Sequence, residues 1–270
     1  MDDQTHPMDS TASPASPDAL PPPIGVQRPP RVWKFWGTAL WGLLIFAAMF
    51  GGQMAVLAWF ILRSDGPIDA AAVIRIVASG LTLSLSVIMG LPAVLAALWI
   101  AIRLSRTPFA DYLALRWTSW RNFLIGVAAL AVLAVGWDLL SRATGREAEP
   151  GFMIDVLKAA RADGALWLLV LAFCVAAPVS EEFFARGFLY RGWSESRLGP
   201  FGAILLSSLV WSALHGQYDY DWFLFGEVFS IGLLLGYLRY RSGSTWLTVV
   251  LHGLNNLAAT LQTLWLAGSS

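Results

Sequence analysis

The sequence predicts an all-α protein, a polytopic transmembrane helical bundle with about seven spans. Hydrophobic residues make up 57% of the 270 residues, and charged residues only 13%. Soluble domains carry about 25% charged residues, so this chain has roughly half the charge expected of a water-exposed protein. The apolar residues also fall into runs of about 20, the length at which a helix crosses a bilayer. Both observations favour a protein whose surface faces lipid.

Seven apolar segments are long enough to be considered as spans. Their predicted bounds are 35–62, 77–102, 122–141, 165–192, 201–216, 222–239 and 245–267. The segment near 68–75 is expected to form an interfacial turn ahead of the second span. Fourteen tryptophans are many for this length. Several lie at the ends of these segments, where indole rings favour the boundary between membrane and water.

The chain is expected to divide into three parts. Residues 1–32 contain eight of the fourteen prolines and few large apolar side chains, which predicts a disordered tail. The tail lacks the basic start and apolar centre of a signal peptide, so the first span is expected to act as an uncleaved insertion signal. Residues 33–144 are then N-terminal transmembrane helices, and residues 160–267 form the domain that holds the polar motifs described below.

The distribution of basic residues predicts the orientation. Arginine and lysine cluster in the N-terminal flank and in the loops after the second, fourth and sixth predicted spans. With seven spans these segments share one side, and basic loops stay in the cytoplasm. The N-terminus is therefore expected to be cytoplasmic, in the plasma (inner) membrane, although residues 63–75 leave the first hairpin open. The net charge of zero gives no bulk basic character for nucleic acid, so the lipid bilayer is the expected partner.

Ionisable side chains inside the apolar segments are the candidates for function, because they are costly in a bilayer. The uncharged run 165–179 is followed by Ser-Glu-Glu-Phe-Phe-Ala-Arg. Glu182 and Arg186 are four residues apart and share a helix face, so they are expected to pair. Glu181 points about 100° away from Glu182 and has no partner within its own helix.

Two histidines and an asparagine complete the candidate set. His215 closes the fifth predicted span, while His252 and Asn256 lie four residues apart in the seventh and share a face. Counted from the loops on one side at 1.5 Å per residue, Glu181, His215 and His252 lie at depths of about 18, 22 and 13 Å. The sequence therefore predicts one site shared by three helices.

These residues form three motifs that resemble those of the CPBP intramembrane protease family, which includes type II CAAX prenyl endopeptidases and the Abi proteins linked to bacteriocin immunity. The motifs are E-E-x-x-x-R at 181–186, W-S-A-L-H at 211–215 and H-G-L-N-N at 252–256. They occur in the family's order, within about residues 165–260. Trp211 stands where the family usually has phenylalanine, a departure interpreted as one of packing rather than chemistry. The resemblance implies a catalytic domain over residues 160–267 with a peptidase site formed by Glu181, Glu182, Arg186, His215, His252 and Asn256.

These residue types allow hydrolysis by an activated water. A carboxylate beside an imidazole can take a proton from water, which makes Glu181 the candidate base, with His215 sharing in the activation. The ion pair expected on the same helix would orient them. His252 and Asn256 could donate hydrogen bonds to the oxyanion that forms on the peptide carbonyl.

Zinc is the alternative mechanism. Two histidines and a glutamate are a familiar catalytic zinc set, and Glu181, His215 and His252 could supply it. The usual H-E-x-x-H signal is missing, so no cofactor is favoured and zinc stays open. A serine mechanism is disfavoured because G-x-S-x-G is absent, and an aspartyl pair because Asp219 and Asp221 lie in a loop.

The sequence thus predicts an intramembrane endopeptidase that acts on a membrane-associated peptide or protein. A prenylated (CAAX-type) terminus would reach a polar cavity within the bilayer, and a signal-like peptide, a bacteriocin or a membrane protein segment would do so equally. Two alternatives stay open: a non-catalytic membrane immunity or scaffold protein that retains the motifs, and a small proton-coupled transporter.

Overall fold

The computed structural model describes residues 31–146, 151–216 and 221–269, and every regular element in these ranges is a helix. The helices are α1 (Phe35–Leu62), α2 (Ala70–Ala78), α3 (Gly80–Ser105), α4 (Phe109–Tyr112), α5 (Trp120–Ala143), α6 (Gly151–Ala162), α7 (Leu166–Ser194), α8 (Gly199–Ala213), α9 (Trp222–Ser242) and α10 (Thr245–Ser269). The predicted all-α helical bundle is confirmed. The predicted tail at 1–32 lies outside the described residues except for its last two positions, and the division into 33–144 and 160–267 stays a prediction.

Five of the described helices are long and apolar enough to cross a membrane, namely α1, α3, α5, α7 and α9. Helix α8 is apolar but has only 15 residues. Helix α10 has 25 residues but is not among the five, and its sequence carries the polar residues of the third motif. The prediction of about seven spans is therefore not confirmed, although helices are present at all seven predicted positions.

Side-chain caps begin five of the described helices, where backbone N–H groups lack intrahelical partners, and one of them is Ser244 at the start of α10. Asp69 starts α2 by accepting a hydrogen bond from the N–H of Ala72. Ser79 ends α2 and caps α3, so the turn expected near 68–75 is a separate short helix. Ser119 and Asp221 cap α5 and α9 in the same way.

Helices α1 and α3 pack along each other and against α7, and their shared core contains Ile45, Leu98 and Phe188. At the end of α7 the approach to α1 is so close that a Cβ on Gly192 would lie 1.8 Å from the Thr38 hydroxyl oxygen. Only glycine fits at this position. The contact fixes the helix that carries the two adjacent glutamates against the N-terminal helix.

The segment that follows α4 fixes the turn between α9 and α10. The backbone N–H of Thr245 donates to the carbonyl of Ala114, and the Arg116 side chain donates to the carbonyl of Gly243. Gly243 has φ +65°, a conformation that glycine adopts without strain. These bonds set where α10 begins, and so set the position of the third motif.

Candidate active site

Helix α7 departs from α-helical geometry on both sides of the two glutamates. Residues Ala172–Ala176 and Phe183–Leu189 form π-helical turns, whereas Ala177–Glu182 between them is α-helical. Pro178 contributes to the first departure, because it has no N–H to donate to the carbonyl of Cys174 four residues earlier. That carbonyl faces Gly253 of α10, where an added Cβ would lie 2.6 Å from its oxygen. Such π-turns are frequent at functional sites.

Glu182 lies at the centre of a buried ionic cluster. Its Oε1 accepts hydrogen bonds from Arg186 Nη1 at 2.9 Å and from His252 Nδ1 at 3.0 Å. The side chains of Glu182 and Arg186 are 0% exposed, and that of His252 is 5% exposed. The ion pair that the spacing predicts is thus present, and a histidine from α10 joins it.

The guanidinium of Arg186 is held by two further contacts. Its Nη2 donates to the carbonyl of Gly232 in α9 at 3.1 Å, and its Cζ lies 4.5 Å from the ring centroid of Trp211. A Cβ on Gly232 would lie 3.3 Å from Nη2 and 3.2 Å from the indole ring. The absence of a side chain there allows α9, Arg186 and Trp211 to approach one another this closely.

Glu181 faces a different set of partners. Its Oε2 accepts a hydrogen bond of 2.7 Å from Trp211 Nε1 and lies 3.7 Å from His215 Nε2. The side chain of Glu181 is 26% exposed and that of His215 is 17% exposed. The two adjacent glutamates therefore have separate surroundings: Glu182 is enclosed, and Glu181 is open to small molecules.

The hydrogen bonds of the histidines fix which ring nitrogen carries a proton. His215 Nδ1 lies 2.8 Å from the carbonyl oxygen of Trp211, and because a carbonyl only accepts, Nδ1 donates. In the neutral ring Nε2 is then an acceptor that faces Glu181. By the same reasoning His252 Nδ1 donates to Glu182, so His252 can donate from Nε2 only when the ring is doubly protonated.

A water molecule fits the chemistry of the gap between Glu181 and His215. The 3.7 Å separation of their facing atoms is too long for a direct hydrogen bond. Both atoms are acceptors, and a water can donate to two acceptors at once. The arrangement can therefore hold a water between a carboxylate and an imidazole, two groups that can act as general bases.

Asn256 shares its helix with His252, but its amide is engaged elsewhere. Its Nδ2 donates to the carbonyl of Phe173 at 2.8 Å. Phe173 belongs to the first π-turn, where the regular pattern of backbone bonds is interrupted. One amide hydrogen thus ties α10 to α7, and the second is left for another acceptor.

Five of the six predicted site residues therefore fall into two adjacent groups, and the sixth, Asn256, lies on the same helix as His252. Trp211 joins the groups, because its indole N–H binds Glu181 and its ring lies against Arg186. The interpretation of this tryptophan as a packing change alone missed its hydrogen bond. The signal was present in the residue type, since tryptophan has an N–H donor that phenylalanine lacks.

The donor set predicted for zinc does not converge in this arrangement. Among the described residues, no group of three His, Cys, Asp or Glu side chains could hold a metal ion. His252 directs Nδ1 to Glu182, and the ring of Trp211 packs against the imidazoles of His215 and His252 at centroid distances of 4.5 and 5.5 Å.

Comparisons with known proteins agree with the motifs. Residues 163–258 match the family model of the type II CAAX prenyl endopeptidases, Rce1-like. The chain is also similar to an uncharacterized 24.3 kDa protein of Escherichia coli, with 34% identity over 128 residues, 47% of this chain and 57% of that protein. The chain thus spans a little over half the length of this curated relative. No solved structure matches the chain. The family match confirms the resemblance to the CPBP proteases.

Proposed function

We propose that this chain, which resembles the CPBP proteases over residues 163–258, is an intramembrane endopeptidase in which Glu181 activates the attacking water. One observation carries the proposal: the half-open Glu181 carboxylate faces His215 Nε2 at 3.7 Å, while its neighbour Glu182 is enclosed by Arg186 and His252. One acid is available for chemistry and the other is committed to structure.

The proposed reaction is hydrolysis of one peptide bond. The water oxygen attacks the scissile carbonyl carbon as Glu181 takes a proton from it, assisted by His215. The C–N bond of the tetrahedral intermediate then breaks, and the proton passes from Glu181 to the leaving amine. Water is the only co-reactant, and the products are a new carboxyl and a new amine.

The oxyanion of the intermediate requires donors at the same site. His252 supplies Nε2–H when its ring is doubly protonated, and the adjacent Glu182 balances the added charge at 3.0 Å. Asn256 supplies its second amide hydrogen. Loss of one such donor typically lowers the rate by a factor of about 10² to 10³.

The substrate we propose is a peptide or protein segment that reaches the site from within the membrane. The chain is an integral membrane protein by its five apolar helices and its family match. A prenylated (CAAX-type) C-terminus fits this route because its lipid chain partitions into the bilayer. We further propose the plasma (inner) membrane as the location, with the N-terminus in the cytoplasm, from the basic loops of the sequence.

The test is cleavage of a quenched peptide panel by the purified full chain in detergent. The panel pairs each peptide with and without a prenyl group, and each assay runs with and without a zinc chelator. Glu181→Ala and Glu181→Gln should abolish cleavage in a folded protein. The matched control is Glu227→Gln, which removes another carboxyl from a membrane helix, α9, and should leave cleavage intact.

Four results would contradict the proposal in different ways. Full cleavage by Glu181→Ala would exclude this residue as the base. Cleavage lost on chelation and restored by zinc would replace the water mechanism by a metal one. Wild-type function in cells with Glu181→Gln would favour the scaffold protein, and proton-coupled flux in vesicles that needs Glu181 would favour the transporter.

A further inference from the structure

Two arginines mark the end of α3. Arg103 lies in its last turn, and Arg106 is the residue that ends it, with φ +62°. Both line one cavity at this end of the helix. Both residues are exposed. The backbone N–H of the nearby Arg31 binds the carbonyl of Ser105, which brings a third basic residue to the same end of the bundle.

Neither arginine forms an ion pair with another described residue. Across residues 31–146, 151–216 and 221–269, the ion pairs and side-chain hydrogen bonds include neither Arg103 nor Arg106. The nearest acid along the chain, Asp111, forms no ion pair with them. The two guanidinium groups at the end of α3 therefore have N–H donors available for a ligand.

A cavity of about 290 Å³ opens between these arginines. Its other walls include Trp99, Ile102 and Phe109. The cavity is therefore polar and cationic at the helix end, and aromatic and aliphatic along the helix. This is the pattern of an amphipathic ligand rather than of a small hydrophilic one.

The apolar wall continues onto the lipid-facing surface of α3. Trp99, which is part of that wall, is 57% exposed. Large apolar side chains exposed on a membrane-spanning helix face acyl chains, and tryptophan favours the level of the headgroups. An acyl chain can thus lie along Trp99 while its headgroup enters the cavity.

We propose that this cavity binds the phosphodiester headgroup of an anionic phospholipid from the surrounding leaflet. Guanidinium groups match phosphate geometry through paired N–H donors, and basic pockets between helices on the cytoplasmic side are a known mode of anionic lipid binding. Basic residues scattered over the surface would account only for the orientation of the protein in the membrane. The cavity and its continuous apolar wall provide a defined site. The proposal does not depend on peptidase activity.

The experiment uses the delipidated full chain in detergent and native mass spectrometry. Phosphatidylglycerol and phosphatidylcholine with identical acyl chains are the probes, and inorganic phosphate is the competitor. The test variant is Arg103→Gln/Arg106→Gln. The matched control is Arg121→Gln/Arg197→Gln, which removes two exposed arginines from the same predicted side of the membrane, outside the cavity. A third variant, Trp99→Ala, alters the apolar wall.

Wild type should bind phosphatidylglycerol at least about ten-fold more tightly than phosphatidylcholine, since each basic residue near an anionic headgroup contributes substantially. The preference should vanish in the test variant and persist in the control. Trp99→Ala should weaken both lipids, which keeps the proposal testable if the double variant does not fold. An equal loss in the control would show diffuse charge rather than a site. Displacement of the lipid by millimolar phosphate would assign the site to free phosphate. The proposal is overturned by this displacement or by an equal loss in the control variant.

Discussion

The hydrogen bond between the Trp211 indole and Glu181 gives the sharpest test of the proposed site. Trp211→Phe keeps an aromatic ring against Arg186 but removes the N–H that donates to Glu181 Oε2 at 2.7 Å. A hydrogen bond to a charged group contributes about 1.5–3 kcal/mol. If the bond holds the carboxylate in its productive orientation, its loss lowers kcat by about 10- to 150-fold, whereas KM should change little.

The assay compares kcat and KM for the best peptide from the panel, with thermal unfolding in the same detergent. Trp193→Phe is the matched control, because Trp193 is also 4% exposed and its Nε1 donates to a backbone carbonyl, that of Phe35, at 3.2 Å. Both variants should lose a similar stability, about 1–3 kcal/mol. Only Trp211→Phe should lose kcat.

Two results would refute this reasoning. Unchanged kcat in Trp211→Phe would mean that the indole does not position the base. An equal loss of kcat in Trp193→Phe would mean that the effect is one of general packing.

Three further predictions concern stability, measured as thermal or denaturant unfolding in detergent. Gly232→Ala places a Cβ in a tight space and should destabilise the protein by about 1–3 kcal/mol. Gly136→Ala is the control and should be neutral or stabilising, because no atom lies within 4 Å of the added Cβ. Equal effects of the two substitutions would contradict the close approach of Arg186 and Trp211 to Gly232. Arg186→Met removes the cation that balances the buried Glu182 carboxylate and leaves that carboxylate with its bond to His252. It should cost about 3–5 kcal/mol, against less than about 1 kcal/mol for the exposed Arg142→Met. A small cost for Arg186→Met would argue against a charged cluster. Asp163 accepts hydrogen bonds from the start of α3, chiefly from the Leu81 N–H and then from the Ser79 hydroxyl, and these bonds hold its pKa below the usual range. The stability advantage of wild type over Asp163→Asn should therefore be full above about pH 4 and should disappear as the pH falls further. A stability difference that does not change with pH would contradict this prediction.

Much of the bundle could be predicted because lipid imposes a simple rule. A helix must satisfy its own backbone and present apolar side chains over about 20 residues, so α1, α3 and α5 follow from hydropathy within a few residues. Hydropathy predicts the number of membrane spans less well. Helix α8 is short and α10 carries polar residues, because both line the site instead of facing lipid alone.

The pairing of Glu182 with Arg186 also followed from the sequence, since residues four apart on one helix must meet. The hydrogen bond between Trp211 and Glu181 did not, because contacts between helices depend on their rotation and depth. The π-turns of α7 change that rotation locally. Pro178 indicates an interruption of the helix, but not the length of the π-turns on both sides of the glutamates.

The ion pair of Glu182 and Arg186 has a consequence for how the chain enters the membrane. His252 follows Glu182 by 70 residues, so at about 5–20 residues per second the ribosome delivers it about 4 to 14 s later. During that interval the charges of Glu182 and Arg186 are already balanced within one helix, which lowers the cost of inserting them. This pair therefore needs no partner from another helix while α7 enters the lipid, and the proposed peptidase gains its second histidine only after α10 has been made.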